Sequence, residues 1–131
     1  MSNRPHFASV PNIGAVPESG NNTETVIATL LGVVPETASQ VVKLNFSAFL
    51  TLGASSAGGT FRIRRAALAG TLVGVAMPVT ALATAAGATE CSGAQEDTPG
   101  EGNFTYVLTY QGTGDTGPAS VTTSEFTARW D

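Results

Sequence analysis

Charge is scarce in this chain. Six Lys and Arg residues and ten Asp and Glu residues leave charged side chains at 12 % of the 131 positions, about half the share of an ordinary globular domain. A net charge of −4 with so few bases does not supply the basic face that phosphate neutralisation needs, so no direct nucleic-acid partner is expected. Cysteine is nearly absent too: Cys91 stands alone and excludes any disulfide within the chain. Histidine is equally rare, and His6 falls in a proline-rich segment where nothing holds it rigidly against a nucleophile. One Trp and two Tyr residues are thin provision for the stacking platforms of a carbohydrate cleft. No glycine-rich stretch carries the Lys-Ser/Thr signature of a phosphate loop. These absences exclude the usual constellations of catalysis: no enzyme, no cofactor and no catalytic or metal-binding residue is expected.

Long hydrophobic runs are missing as well. Residues 66–86 are free of charge over about the length of a bilayer, but Gly70, Gly74, Pro78 and several threonines interrupt Leu68, Leu72, Val73, Val75, Met77, Val79 and Leu82. No membrane partner is expected. The opening Met-Ser-Asn-Arg-Pro-His-Phe has no apolar h-region, so classical export is not expected either. What remains is a polar, weakly charged surface rich in Thr, Ala and Gly, with little self-repulsion to keep copies apart.

The patterns that are present are those of β-strands. Residues 25–34 are rich in β-branched side chains and stop at Pro35. In residues 41–52, Leu44, Phe46, Ala48, Leu50 and Leu52 share one face, while Lys43, Asn45, Ser47 and Thr51 take the other and Phe49 interrupts the polar side. Residues 60–65, 71–76 and 79–85 read as further strands, with a connection at 53–59. A long acidic loop is expected over 86–102. Residues 103–110 alternate, placing Phe104, Tyr106, Leu108 and Tyr110 together, and a turn-rich loop at 111–118 leads to a last strand with Phe126, Ala128 and Trp130 on a common face. Seven or eight strands without a helix predict an all-β, jelly-roll-like β-sandwich over residues 23–131. Residues 1–22, with Pro5, Pro11 and Pro17, show no strand periodicity and read as an extended N-terminal arm, whose Phe7, Val10 and Ile13 are candidate contacts with a neighbouring molecule.

Three of the six bases, Arg62, Arg64 and Arg65, lie in the window Phe61-Arg-Ile-Arg-Arg65. Alternation turns Arg62 and Arg64 outward, as a solvated face, an interface or an anion site. Arg65 falls on the inward side, where an unpaired guanidinium costs several kcal/mol, so it requires a carboxylate or carbonyl partner near the core or at a subunit boundary. All three are interface candidates. Glu90, Glu96, Asp97 and Glu101 lie within twelve residues; they read as a solvated loop, as an ion-pair partner for the arginine strand, or as a hard-cation site whose spacing matches no EF-hand.

The run Val42-Lys-Leu-Asn-Phe46 through Leu50-Thr-Leu-Gly53, then Phe61-Arg-Ile-Arg-Arg65, Gly70-Thr-Leu-Val-Gly74, Val79-Thr-Ala81 and Asn103-Phe-Thr-Tyr-Val-Leu108, resembles the small jelly-roll virion proteins of tailed bacteriophages, over residues 24–130. Trimeric jelly rolls of tumour-necrosis-factor-like build share this pattern. The resemblance implies a capsid decoration or minor capsid protein, made in the host cytoplasm and located on the capsid surface of the virion. It further implies a homotrimer seated on a shell of major capsid protein, with the arm docked on a neighbour. A receptor- or glycan-binding tip module of a tail fibre or spike is the alternative, although the loops 53–59, 86–102 and 111–118 carry no aromatic residue.

Overall fold

The computed structural model describes residues 6–10, 13–17, 23–52, 59–79, 87–112 and 120–131. Among the described residues nine strand segments build two antiparallel sheets: β1 (His6–Val10), β2 (Ile13–Pro17), β3 (Glu24–Val33), β4 (Val42–Leu52), β5 (Gly59–Arg65), β6 (Met77–Val79), β7 (Gly87–Asp97), β8 (Phe104–Gly112) and β9 (Ser120–Trp130). The first sheet runs β1-β9-β4-β7, with β2 also on β9, and the second runs β3-β8-β5-β6. From β2 onward the chain changes sheet at every connection except β5 to β6. That is the jelly-roll winding of eight strands, with β1 and β2 forming one interrupted edge strand.

Alternation decides what lies between the sheets. Leu44, Phe46, Ala48 and Leu50 of β4 are buried against Phe61 and Ile63 of β5 and Tyr106, Leu108 and Tyr110 of β8. At the centre Phe61 lies 4.9 Å from Phe46 and 5.1 Å from Tyr110, ring centre to ring centre, in tilted contacts that join the two sheets. β8 is covered on its other face too, where Val107 and Thr109 are buried although the alternation marks them as outward. Arg62 and Arg64 of β5 are their register partners.

β9 changes parity midway. Val121 and Thr123 face the core, then Phe126, Ala128 and Trp130 do, because a bulge shifts the register between Ser47 and Ala48 of β4. Ser124 occupies the extra position, and its hydroxyl donates to the Ser47 carbonyl at 2.9 Å. The edge strand breaks at the same level: β1 ends with Val10 opposite Phe126, and β2 begins with Ile13 opposite Thr123.

Thr123 is a misfit in this core, since its Oγ1 is fully buried with no hydrogen-bond partner among the described residues. Thr123→Val keeps the shape and removes an unsatisfied hydroxyl, so it is expected to raise stability by about 1 kcal/mol. A urea midpoint equal to or below that of the wild type contradicts this.

Three expectations from the sequence are corrected. The segment 86–102 is not a loop over most of its length: β7 pairs with β4 through eleven consecutive positions, from Val42 opposite Asp97 to Leu52 opposite Gly87. Its Gly, Ala and Ser residues have little strand propensity, and pairing with a strong central strand overrides that. Small size is required there, because a Cβ on Gly93 would lie 2.7 Å from both Met77 Sδ and Phe46 Cε1. Residues 71–76 do not form a strand. They run beside β5 through one bridge, Arg64 to Leu72, and two backbone bonds, Arg65 N to Thr71 O and Val73 N to Ile63 O, until Gly74 turns away at φ +68°. A Cβ at Gly74 would collide with the Gln95 carboxamide, which donates to Val75 O at 3.3 Å and accepts from Val75 N at 3.4 Å. That clasp ties the open edge of β7 to the other sheet. The third correction concerns the arm: His6–Val10 and Ile13–Pro17 are strands paired to β9 of their own chain. Beyond Val79, the expected strand at 79–85 lies outside the described residues, as do residues 53–58 and 113–119, where loops are expected.

Candidate functional site

The arginine window occupies β5, where Arg62, Arg64 and Arg65 stand opposite Thr109, Val107 and Tyr106 of β8. Two carboxylates from other strands meet them. Glu24, the first residue of β3, lies across β8 and reaches the outer face of the second sheet. Arg64 donates to it twice, Nε to Oε2 at 2.6 Å and a terminal nitrogen to Oε1 at 2.9 Å, and gives its third nitrogen to the Gly70 carbonyl at 3.0 Å. The buried Thr109 hydroxyl donates to Glu24 Oε2 at 2.7 Å, and Arg62 lies 3.6 Å from Oε1 while donating to the Gln111 side chain at 2.7 Å. These donors, above all Arg64, hold the Glu24 carboxyl below the usual carboxylate range, and Glu24 in turn raises the Arg64 guanidinium.

Arg65 turns to the opposite side. Its Nε donates to Asp97 Oδ2 at 3.0 Å and its terminal nitrogen to Oδ1 at 2.6 Å, a two-pronged pair between the end of β5 in one sheet and the end of β7 in the other. Tyr106, fully buried, completes the group by donating its phenol to Asp97 Oδ2 at 2.7 Å. Burial, and next the bond to Asp97, push that phenol far above its ordinary range, so it acts as a permanent donor. Asp97 raises the Arg65 guanidinium in the same way. The backbone beyond Arg65 is tightly set: Ala66 adopts φ +77°, and its N–H bonds the Thr105 carbonyl at 2.7 Å.

The partner required for Arg65 is therefore a carboxylate of its own chain, drawn from the acidic segment. That segment divides. Asp97 turns toward the gap between the sheets, Glu90 and Glu96 are exposed on the outer face of β7, and Glu101 is exposed in the turn before β8. Among the described residues no three of His, Cys, Asp and Glu gather as a metal centre would require. Arg62 and Arg64 are half-buried and share Glu24, so an anionic ligand would have to displace a carboxylate from a two-pronged pair. Glu24, Tyr106 and Gln111 had no signal in the sequence as partners, because their sequence separations from β5 exceed what alternation can relate.

The remaining candidates lie along the β1–β2 edge. Phe7 is 67 % exposed, with the Arg129 guanidinium 6.0 Å from its ring centre. Val10 is partly buried against the core, and Ile13 is placed by its backbone pairing with Thr123. His6 stacks on Trp130 at 5.6 Å and lies 3.6 Å from Glu36, while the Trp130 indole donates to the Val34 carbonyl at 3.1 Å. Cys91 sits on the far edge strand opposite Ala48, its thiol pushed up chiefly by burial. No family model and no curated protein matches the chain.

Proposed function

We propose that this chain is a non-enzymatic structural protein of a phage virion, a decoration, cement or minor capsid protein that stabilises the shell through subunit contacts. The observation that carries the reading is the distribution of apolar surface on a jelly roll of low charge. Phe7, Leu31 and Val75 are each at least 65 % exposed, and Val34, Val41, Phe49, Leu68 and Leu72 are exposed as well. Scattered over several faces, such side chains suit a subunit that touches more than one neighbour. The charged groups agree with it, since the arginines and carboxylates nearest the core are engaged with one another as structural ties.

Purified particles provide the test. The chain is expected to be a stoichiometric component of virions, with reconstructed density on the shell that accepts the sandwich, in threefold groups if the homotrimer holds. Recovery of the chain only as free protein in the lysate, with no affinity for shells added to it, contradicts the reading.

A further inference from the structure

The outer face of the first sheet carries a pattern that complements itself when turned end for end. Its rows follow from the strand registers. One row is Phe7, Arg129, Lys43 and Glu96, and the next is Ser9, Thr127, Asn45 and Ala94. The third is Glu125, Ser47 and Ser92, and beyond it Phe49 stands between Thr122 and Glu90. Exposure alternates as it must for these residues to face outward: Lys43, Asn45, Phe49, Glu125, Arg129, Glu96 and Glu90 are exposed while their neighbours in sequence on β4 and β9 are mostly buried. Along β9 the face reads Glu125, Thr127, Arg129. Along β4, starting just before the strand, it reads Val41, Lys43, Asn45, Ser47, Phe49.

From this symmetry we propose that the face is a twofold contact between two copies of the chain, with the axis lying in the plane of the contact and crossing the strands at the Thr127–Asn45 row. The proposal rests on reading the chain as an assembling structural protein and adds to that reading a defined surface and partner. A rotation about that row lays Arg129 of one copy over Glu125 of the other, twice. It also brings Phe49 of each copy onto the exposed Val41 of its mate. Lys43 then meets Ser47, Glu96 meets Ser92, and Thr127, Asn45 and Ala94 meet their own equivalents. Among the described residues no like charges oppose one another in this register. Moving the axis one row toward Glu125 would stack Glu125 on itself, and one row the other way would stack Arg129 on Arg129 and Lys43 on Lys43, so charge selects the register.

Size and chemistry fit a second copy. The middle row is Ser9, Thr127, Asn45 and Ala94, small side chains that let two sheets approach to the usual spacing of about 10 Å. Four strands spanning Val41 to Phe49 cover roughly 500 Å² on each copy, or about 1,000 Å² in all, near the threshold for a specific contact. The existing contacts of the two charges are weak: Arg129 and Asp131 lie 3.5 Å apart with both side chains about half exposed, the Phe7 ring centre is 6.0 Å from the Arg129 guanidinium, and Thr127 Oγ1 is 3.5 Å from Glu125.

Reversing the charges tests this. Light scattering of the full-length chain over a range of concentrations should give an even number of chains, two or, with an independent threefold contact, six. Glu125→Arg alone or Arg129→Glu alone places like charges opposite each other twice and should weaken the pairing at least about tenfold. The double variant Glu125→Arg/Arg129→Glu, and an equimolar mixture of the two single variants, should restore it. Both side chains are exposed, and thermal unfolding of each variant checks that the fold is kept. A wild type of one or three chains, single variants that keep the wild-type mass, or a double variant and mixture that fail to regain it would each overturn the proposal. A mass of three with shell binding intact removes the twofold contact and leaves the shell reading standing.

Discussion

Asp97→Ala is expected to cost about 3 kcal/mol of folding stability, the largest loss from any single charged position here. Asp97 accepts from both Arg65 and Tyr106, and only 12 % of its side chain is exposed. Its removal leaves a buried phenol without an acceptor and a guanidinium, two-thirds covered, without a counter-charge. The loss is held near the lower end for broken buried pairs because Arg65 can still turn part of its fork to water. For a domain of this size the melting temperature should fall by roughly 10 °C. A double-mutant cycle with Arg65→Met separates the contact from general disturbance: the two substitutions together should cost less than the sum of their single effects by at least about 1 kcal/mol. Additive losses, or an Asp97→Ala variant within about 0.5 kcal/mol of the wild type, would show that the two sheets are not tied at this point.

The requirement for this tie was legible before the structure, and its geometry was not. Strict alternation in Phe61-Arg-Ile-Arg-Arg65 puts Arg65 on the inward side, and the cost of an unpaired guanidinium then demands a partner. The same logic placed the core faces of β4, β5 and β8 correctly, because central strands that put their large apolar side chains on the core face write that orientation into a period of two. It failed on β7, whose Ala, Gly and Ser residues make an edge strand only because β4 pairs with them. It failed again on the arm, where prolines hide the alternation and the pairing is dictated by the open edge of β9. The bulge at Ser124 is a third case: the sequence of β9 shows Phe126, Ala128 and Trp130 in phase, but Val121 and Thr123 fall out of phase until an extra residue is inserted. Glu24 was invisible for a different reason. Its role depends on β3 lying across β8 from β5, a consequence of the winding that no local pattern encodes.

That position makes Glu24 the second large effect, and one with a pH signature. Glu24→Gln leaves Arg62 and Arg64, both about one-fifth exposed and two residues apart on one strand, as neighbouring cations without a counter-charge, while the amide oxygen can still accept from Thr109. A loss of about 2 kcal/mol is expected at neutral pH. The sign of the pH dependence follows from the lowered proton affinity of Glu24 in the folded chain. The unfolded chain takes up the proton first, near the ordinary value of 4.5, so the contribution of Glu24 is full above that value and is lost as pH falls through the folded one. The glutamine variant has no such group to lose. Urea midpoints measured from neutral pH down through the carboxylate range should therefore fall more steeply for the wild type than for the variant, and the gap between them should close in acid. Two parallel curves would mean that Glu24 carries no charge-dependent stability and that Arg62 and Arg64 are held by packing alone.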